Sequence, residues 1–246
     1  SPLIVAPSGN VAQAAACAAH GKMVNAGQIC VAPDYAMVHE SQLRRFISEV
    51  KRASHRQYPT VRNNPDVSCV INSKHMERLG DLVEDARKKG AEIIEINPAH
   101  EVFEPAAKKF PLTLVVNPSR EMRVMQEEVF GSILPILSYN TLEEAVAQVQ
   151  SKERAIALYL FVSKQAEKEL VLSQTVSGGV TVNDAMWHVL NDNMPFGGVG
   201  SSGMGAYHGL VGFNAMSQLK PVLEQSRFNA APLLRAPYGT VFEKVV

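Results

Sequence analysis

SILPILSYNTLEEAVAQVQSKERAIALYLFV, residues 132–162, decides the fold. SILPILSY (132–139) is an apolar, β-branched run that reads as a strand, and ALYLFV (157–162) is a second. Between them TLEEAVAQVQ (141–150) opens with a capping box, Thr141 to Glu144, and places its apolar residues at helical spacing. A strand, a helix and a strand in about thirty residues make a crossover, which joins parallel strands. Pro135 inside the first strand lacks an N–H for a ladder and predicts an edge or a bulge.

The rhythm continues outward in both directions. SKQAEKELVLSQ (163–174) reads as a helix and GGVTVN (178–183) as a strand. Toward the amino end LTLVV (112–116) and AEIIEI (91–96) read as strands, and SKHMERLGDLVEDARKKG (73–90) as an amphipathic helix closed by Gly90. Residues 98–110 form a surface excursion and 55–72 a Pro-punctuated loop. SQLRRFISEVKRA (41–53) is a helix with Ser41 as N-cap and Leu43, Phe46, Ile47 and Val50 on one face. YAMVH (35–39) and LIVA (3–6) are strands, and Asn10 caps the Ala-rich helix at 11–24. The expected class is α/β, a largely parallel sheet flanked by helices in three Rossmann-like layers. After about residue 206 the alternation fades into a tail.

Composition bounds the function. The 246 residues suit one large domain or one with an appendage. Lys plus Arg and Asp plus Glu both number 24, so no net field favours nucleic acid or an anionic membrane. No apolar run approaches the roughly 20 residues of a membrane span. Three cysteines make no disulfide framework and fit a reducing, cytoplasmic setting. The chain opens without Met or a leader pattern, and its first strand begins almost at once. It therefore reads as part of a longer polypeptide.

Candidate chemistry centres on NAGQICVAPDY (25–35). Cys17, in AAACAAH, and Cys69, in VSCVI, read as apolar core positions. Cys30 is different. Gly27 permits unusual backbone angles, Asn25 and Gln28 can bond local backbone, and Pro33 sets a bend, so the amide of residue 30 can be aimed at an oxyanion. The choice between nucleophile and buried thiol stays open on these residues. GVGSSG (198–203) matches the dinucleotide-binding pattern, but the loop NDNMPFG precedes it and Gly-rich sequence follows. It reads instead as a flexible loop beside something that demands close backbone approach. QEEVFGS (126–132) reads on its own as a turn with Phe130 plugging the core. No H-E-x-x-H, C-x-x-C or carboxylate triplet indicates a metal site, and none of the seven histidines is marked as a partner for Cys30.

Taken together, three stretches resemble the aldehyde dehydrogenase superfamily: N-x-G-Q-x-C at Asn25, Gly27, Gln28 and Cys30; E-E-x-F-G at Glu127, Glu128, Phe130 and Gly131; and P-F-G-G-V-x-x-S-G at Pro195 to Val199 with Ser202 and Gly203. CVAPDY and GMGAYHGLVGF are similar to the branch holding the class 3, fatty-aldehyde and coniferyl-aldehyde enzymes. The resemblance implies the catalytic domain of that fold over 1–205. It implies that the 206–246 tail packs on a cofactor domain or partner subunit. It implies Cys30 as the thiol nucleophile with Asn25 in the catalytic set, and Glu128 and Phe130 at the nicotinamide ribose and ring of NAD or NADP. Phe196, Ile29 and Val31 would line the substrate pocket. The implied substrate is an aromatic or medium-chain apolar aldehyde, and the implied assembly a homodimer or homotetramer, with no nucleic-acid, membrane or metal partner. Ser132 departs from the family's usual proline and is expected to loosen the turn carrying Glu128.

In the family, L-E-L-G-G-K leads directly into S-P and holds the glutamate that activates water, whereas this chain starts at Ser1-Pro2. The expectation is that the chain alone binds NAD poorly and turns over no aldehyde. Two other functions remain open: a thiol acyl-transferase or hydrolase pairing Cys30 with a histidine, and a non-catalytic oligomerisation module with Cys30 buried.

Overall fold

The computed structural model describes residues 1–104 and 107–245, so Pro105 and Ala106 of the 98–110 excursion and Val246 of the tail lie outside the described residues. The chain divides into two units, Ser1–Ala215 and Met216–Val246.

The first unit is built on seven strands: β1 (Pro2–Val5), β2 (Tyr35–His39), β3 (Glu92–Ile96), β4 (Leu112–Val116), β5 (Ile133–Tyr139), β6 (Ala155–Phe161) and β7 (Ser177–Val182). Their order in the sheet is β3-β4-β5-β2-β1-β6-β7. The β3–β4 pair is antiparallel and every other pair is parallel. Seven helices accompany them among the described residues: α1 (Val11–Met23), α2 (Glu40–Gln57), α3 (Ser73–Lys88), α4 (Arg123–Gln126), α5 (Leu142–Gln150), α6 (Gln165–Gln174) and α7 (Gly209–Ala215). The α/β class and the largely parallel sheet are as the sequence predicts.

Strand side chains alternate between two buried faces. Leu3 and Val5, Ala36 and Val38, and Ala157, Tyr159 and Phe161 enter one core with α1 and α2. The intervening Ile4, Tyr35, Met37, Leu158 and Leu160 enter a second core with α5 and α6. Burial on both faces is why these strands are continuously apolar rather than alternating.

Three local expectations change. β5 is interior, not an edge. Pro135 stands opposite Val115 in the β4 ladder, while pairing with β2 begins one residue later at Ala36↔Ile136. Thr113 and Asn117 of the β4 segment donate to Ser132 O and Ile136 O, so even-numbered β5 residues face β4. The absent N–H of Pro135 thus points toward β2 just ahead of that ladder, and no bond is lost. Helix α2 starts one residue early and runs to Gln57, into the expected loop. Its cap is His39, whose Nδ1 accepts from Ser41 N at 3.3 Å, and Ser41 is not the cap. The capping box of α5 is shifted by one, for Thr141 Oγ1 accepts from Glu144 N while Glu144 Oε2 accepts from Asn140 N. Asn10 caps α1 and Gly90 follows α3 at φ 89°, both as expected.

In the second unit a 3-10 turn at Ala231–Leu234 precedes a short helix, Thr240–Val245. No helix of the described residues is long and apolar enough to cross a membrane.

Candidate active site

Helix α1 ends at Met23, and the chain turns through three left-handed residues, Asn25 (φ 48°), Ala26 (φ 54°) and Gly27 (φ 69°). Such a run is rare for L-residues. The surrounding bonds hold it in place. Asn25 Nδ2 donates to Gln28 O at 3.1 Å, and Gln28 Nε2 donates to Asn25 O at 2.9 Å and to Cys69 O at 3.1 Å. Gln28 Oε1 in turn accepts from Ile71 N at 2.9 Å. A Cβ on Gly27 would overlap the carbonyl of Gly131, and one on Gly131 would overlap the Leu79 side chain. The first and second motifs therefore meet backbone to backbone.

Ser132 closes the same junction. It is fully buried, its Oγ donates to Ala26 O at 3.3 Å, and its carbonyl accepts from Thr113 N. The expected loosening is not seen, because the serine ties the second motif to the left-handed turn.

Beyond the turn Cys30 is exposed. Neither its N–H nor its Sγ takes a hydrogen-bond partner among the described residues, so the amide stays available as a donor. The following residue anchors the segment. Val31 is 1% exposed in the α1–α2 core, and its carbonyl accepts from the hydroxyl of Tyr159, itself fully buried on β6. Burial is the main cause that raises the Tyr159 phenol, so this donor stays protonated. Ile29 is partly buried against the same core.

The thiol opens into a cleft of about 610 Å³. Cys30, Asp34, Glu128, Lys152, Arg154 and Ser202 are among its lining residues, so all three motifs reach it. Ser1 and Pro2 at the start of β1, Asp34 and Tyr35 at the start of β2 and Ala155 and Ile156 of β6 put it at the amino ends of three parallel strands. Doubly wound sheets hold nucleotides at the carboxyl ends instead.

The two glutamates of the second motif have separate fates. Glu127 is clamped by Arg78 and Arg123, each 3.0 Å away. Glu128 is exposed, and no ion pair holds its carboxylate among the described residues. Desolvation and then the neighbouring Asp34 charge raise its carboxyl, while Lys22 and Arg78 act in the opposite sense. Asp34 Oδ1 accepts from Val129 N at 2.9 Å and fastens the second motif to the cysteine segment. Beneath them Lys22 is 1% exposed, and burial lowers its ammonium to about 8 against the pull of Asp34 and Glu128.

Phe130 does not line the Cys30 cleft. At φ 48° it faces a separate pocket of about 300 Å³ with Ile71, Lys74, His75 and Arg78. Phe196, 8% exposed, sits among His188, Tyr207 and His208 with ring centroids 5.7–6.1 Å away, and pairs its backbone with Tyr207. The third motif makes the close approach its glycines predict. A Cβ on Gly178 of β7 would overlap the carbonyl of Gly197. Gly200–Ser202 is a 3-10 turn that opens no helix, so the dinucleotide pattern there lacks its helix.

No histidine lines the cleft. Cys17 Sγ donates to Asp184 at 3.4 Å, and burial followed by that carboxylate pushes its thiol up to about 12. Among the described residues no group of three or more His, Cys, Asp and Glu gathers as metal ligands would. Asp34, Lys22, Tyr159 and Arg78 are the site residues that motif reading missed. Lys22 alone had a local signal, since it falls in the buried register of α1 with Ala15, Ala18 and Ala19.

Comparison with known proteins places the chain in a family. The model of the aldehyde dehydrogenase family matches residues 1–222. A probable coniferyl aldehyde dehydrogenase of Caulobacter vibrioides is 46% identical over 99% of this chain and 51% of its own length. A coniferyl aldehyde dehydrogenase of a Pseudomonas strain is 47% identical over 97% of this chain and 50% of its own. Among solved structures, the substrate-bound AldH of Staphylococcus aureus superposes with a TM-score of 0.87 at 33% identity, over the whole of this chain and 52% of that one. The chain thus spans about half the length of the curated relatives it matches. With its family model matched over most of its length and its sheet shared with that solved relative, the chain belongs to the aldehyde dehydrogenase family.

Proposed function

We propose that this chain is the cysteine-bearing portion of an NAD(P)-dependent aldehyde dehydrogenase, with Cys30 as nucleophile. The observation that carries the reading is the convergence of three sequence-distant motifs on one cleft, with an exposed thiol whose own N–H has no partner. The absence of a histidine from that cleft disfavours a Cys–His hydrolase. The exposure of Cys30 disfavours a merely buried thiol.

Cys30 Sγ adds to the aldehyde carbon to give a thiohemiacetal, and the Cys30 N–H faces the oxygen that gains charge. One such donor is worth about 3 kcal/mol. Asn25 acts by shaping the turn that aims the amide. Glu128 fits a ribose diol, being an exposed carboxylate that offers only acceptors to two hydroxyl donors, whereas Phe130, two residues on, faces the neighbouring pocket and would meet the nicotinamide only from that side. A bound nicotinamide dinucleotide, NAD or NADP, supplies the hydride acceptor. The resulting Cys30 thioester is hydrolysed by water to the carboxylic acid, which restores the thiol. Ile29, Val31 and Phe196 shape the substrate side, Val31 and Phe196 from within the core. The names of the two bacterial relatives favour an aromatic aldehyde such as coniferyl aldehyde. Residues 1–205 form the thiol-bearing domain, to whose compact unit 206–215 also belong. The exposed apolar side chains Met216, Leu219, Leu223 and Phe228 suit a 206–246 tail that packs on a cofactor domain or a partner subunit of a homodimer or homotetramer.

Iodoacetamide at neutral pH should modify Cys30 well ahead of Cys69 and Cys17, read by mass spectrometry. Equal rates at Cys30 and the also exposed Cys69 would remove the nucleophile assignment. The 246-residue chain given aldehyde and NAD or NADP should show no sustained NADH or NADPH signal. A sustained, Cys30-dependent signal would show that it needs no further domain.

A further inference from the structure

The turn that presents Glu128 is held from behind by two side chains of one helix. His75 and Arg78 lie three residues apart on α3 and so share a face. His75 Nε2 donates to Phe130 O at 2.8 Å. Arg78 Nη1 donates to Val129 O at 2.8 Å, its Nη2 donates to Glu128 O, and its Nε donates to Glu127 Oε2 at 3.1 Å. Three consecutive carbonyls are thus bound by one helix face, and the fourth bond fixes the first glutamate. Leu79, next on the helix, fills the space that a side chain on Gly131 would need. On the other side Asp34 takes the Val129 N–H. With the backbone of 128–130 turned toward α3, the free carboxylate of Glu128 lines the cleft that holds Cys30.

We propose that Arg78 and His75 are positioning residues of the reaction, fixing the backbone that aims Glu128 into the Cys30 cleft. This rests on the assignment of Glu128 to the cofactor ribose. A guanidinium suits the task because its planar fork reaches two carbonyls and a carboxylate at once, whereas the single ammonium of a lysine cannot reproduce that geometry.

The test uses the 246-residue chain. In Arg78→Met and His75→Leu, amide hydrogen exchange in a peptide covering 126–132 should accelerate about tenfold or more, while the sheet peptides stay at wild-type rates. Arg78→Lys should fall between Arg78→Met and wild type. The second readout is the ratio of iodoacetate to iodoacetamide alkylation rates at Cys30, since a carboxylate fixed in the cleft repels the anionic reagent. Glu128→Gln sets the upper value of that ratio. His75→Leu and Arg78→Lys, which leave the formal charge unchanged, should move the ratio toward it by twofold or more with the iodoacetamide rate unaltered. Exchange within twofold of wild type in both Arg78→Met and His75→Leu overturns the proposal. So does acceleration spread equally through the sheet, and so does an unmoved ratio. If Arg78→Met does not fold, His75→Leu and Arg78→Lys carry both measurements. The ribose assignment is judged apart, by whether NAD, raised until it protects Cys30 of wild type from iodoacetamide despite the weak binding expected of the chain alone, protects less in Glu128→Gln. Loss of that difference with the exchange result intact removes the ribose role and leaves the fastening.

Discussion

Replacing Lys22 with methionine isolates the cost of a cation buried under the cleft. Burial lowers the Lys22 ammonium from 10.5 to about 8, with Asp34 and Glu128 opposing the shift. Unfolding returns it to water and to the ordinary value. Below about pH 8 both states carry the proton, and the folded chain bears the desolvation cost in full. Between about 8 and 10.5 the folded state has released a proton that the unfolded state still holds, so stability rises with pH. At about 1.36 kcal/mol per pH step, the whole interval is worth roughly 3 kcal/mol, and about 2 kcal/mol of it is regained by pH 9.5. Methionine has similar length, no charge and no titration. Urea unfolding followed by circular dichroism, on both proteins at intervals from about pH 7 to 9.5, should show the difference in unfolding free energy moving about 2 kcal/mol in favour of wild type. Groups such as Lys152, Tyr35 and Tyr139 titrate in both proteins and cancel in the difference. A difference flat to within about 0.5 kcal/mol would refute the assignment of a burial-dominated lysine. A change of opposite sign would mean that Asp34 and Glu128 hold the ammonium more strongly than burial opposes it.

Gly27→Ala should destabilise the chain by about 2 kcal/mol or more, combining roughly 1–2 kcal/mol for a left-handed L-residue with the overlap against Gly131 O. It should also slow Cys30 alkylation, and stability within about 0.5 kcal/mol of wild type would contradict the backbone contact. Tyr159→Phe keeps the packing but leaves the Val31 carbonyl without its donor. It should cost about 1–3 kcal/mol in urea unfolding, and a neutral result would mean that water reaches that carbonyl.

What the sequence reveals follows from where each signal resides. Strands β1, β2 and β6 are legible because burial on both faces makes them apolar along nearly all of their length, His39 at the end of β2 excepted. The Pro135 expectation fails because proline's cost depends on which neighbour its missing N–H would face, and that is set by register with β2 and β4, strands distant in sequence. The α2 boundary shifts because a histidine, uncommon as a cap, accepts from Ser41 N in place of the expected serine. Cys30, Glu128 and the glycine loop are legible as motifs, but their convergence on one cleft depends on Gly27 against Gly131 and Gly178 against Gly197, contacts between backbones that leave only an absent side chain as a trace.

Lys22 and Arg78 mark the two sides of that limit. Lys22 is legible in principle, for a charge in the buried register of an Ala-rich helix contradicts its surroundings and so demands nearby opposite charge, here the field of Asp34 and Glu128. Arg78 contradicts nothing, since an arginine on the polar side of an amphipathic helix is ordinary. Its importance comes from the carbonyls of 128 and 129, which every residue type possesses. A side chain that recognises backbone leaves no complementary residue type at the other end, so its role appears only when the fold brings the two segments together. The same reasoning applies to Tyr159 and the carbonyl of Val31. The chemistry-bearing residues of this cleft are therefore written in motifs, while the residues that aim them are written in geometry.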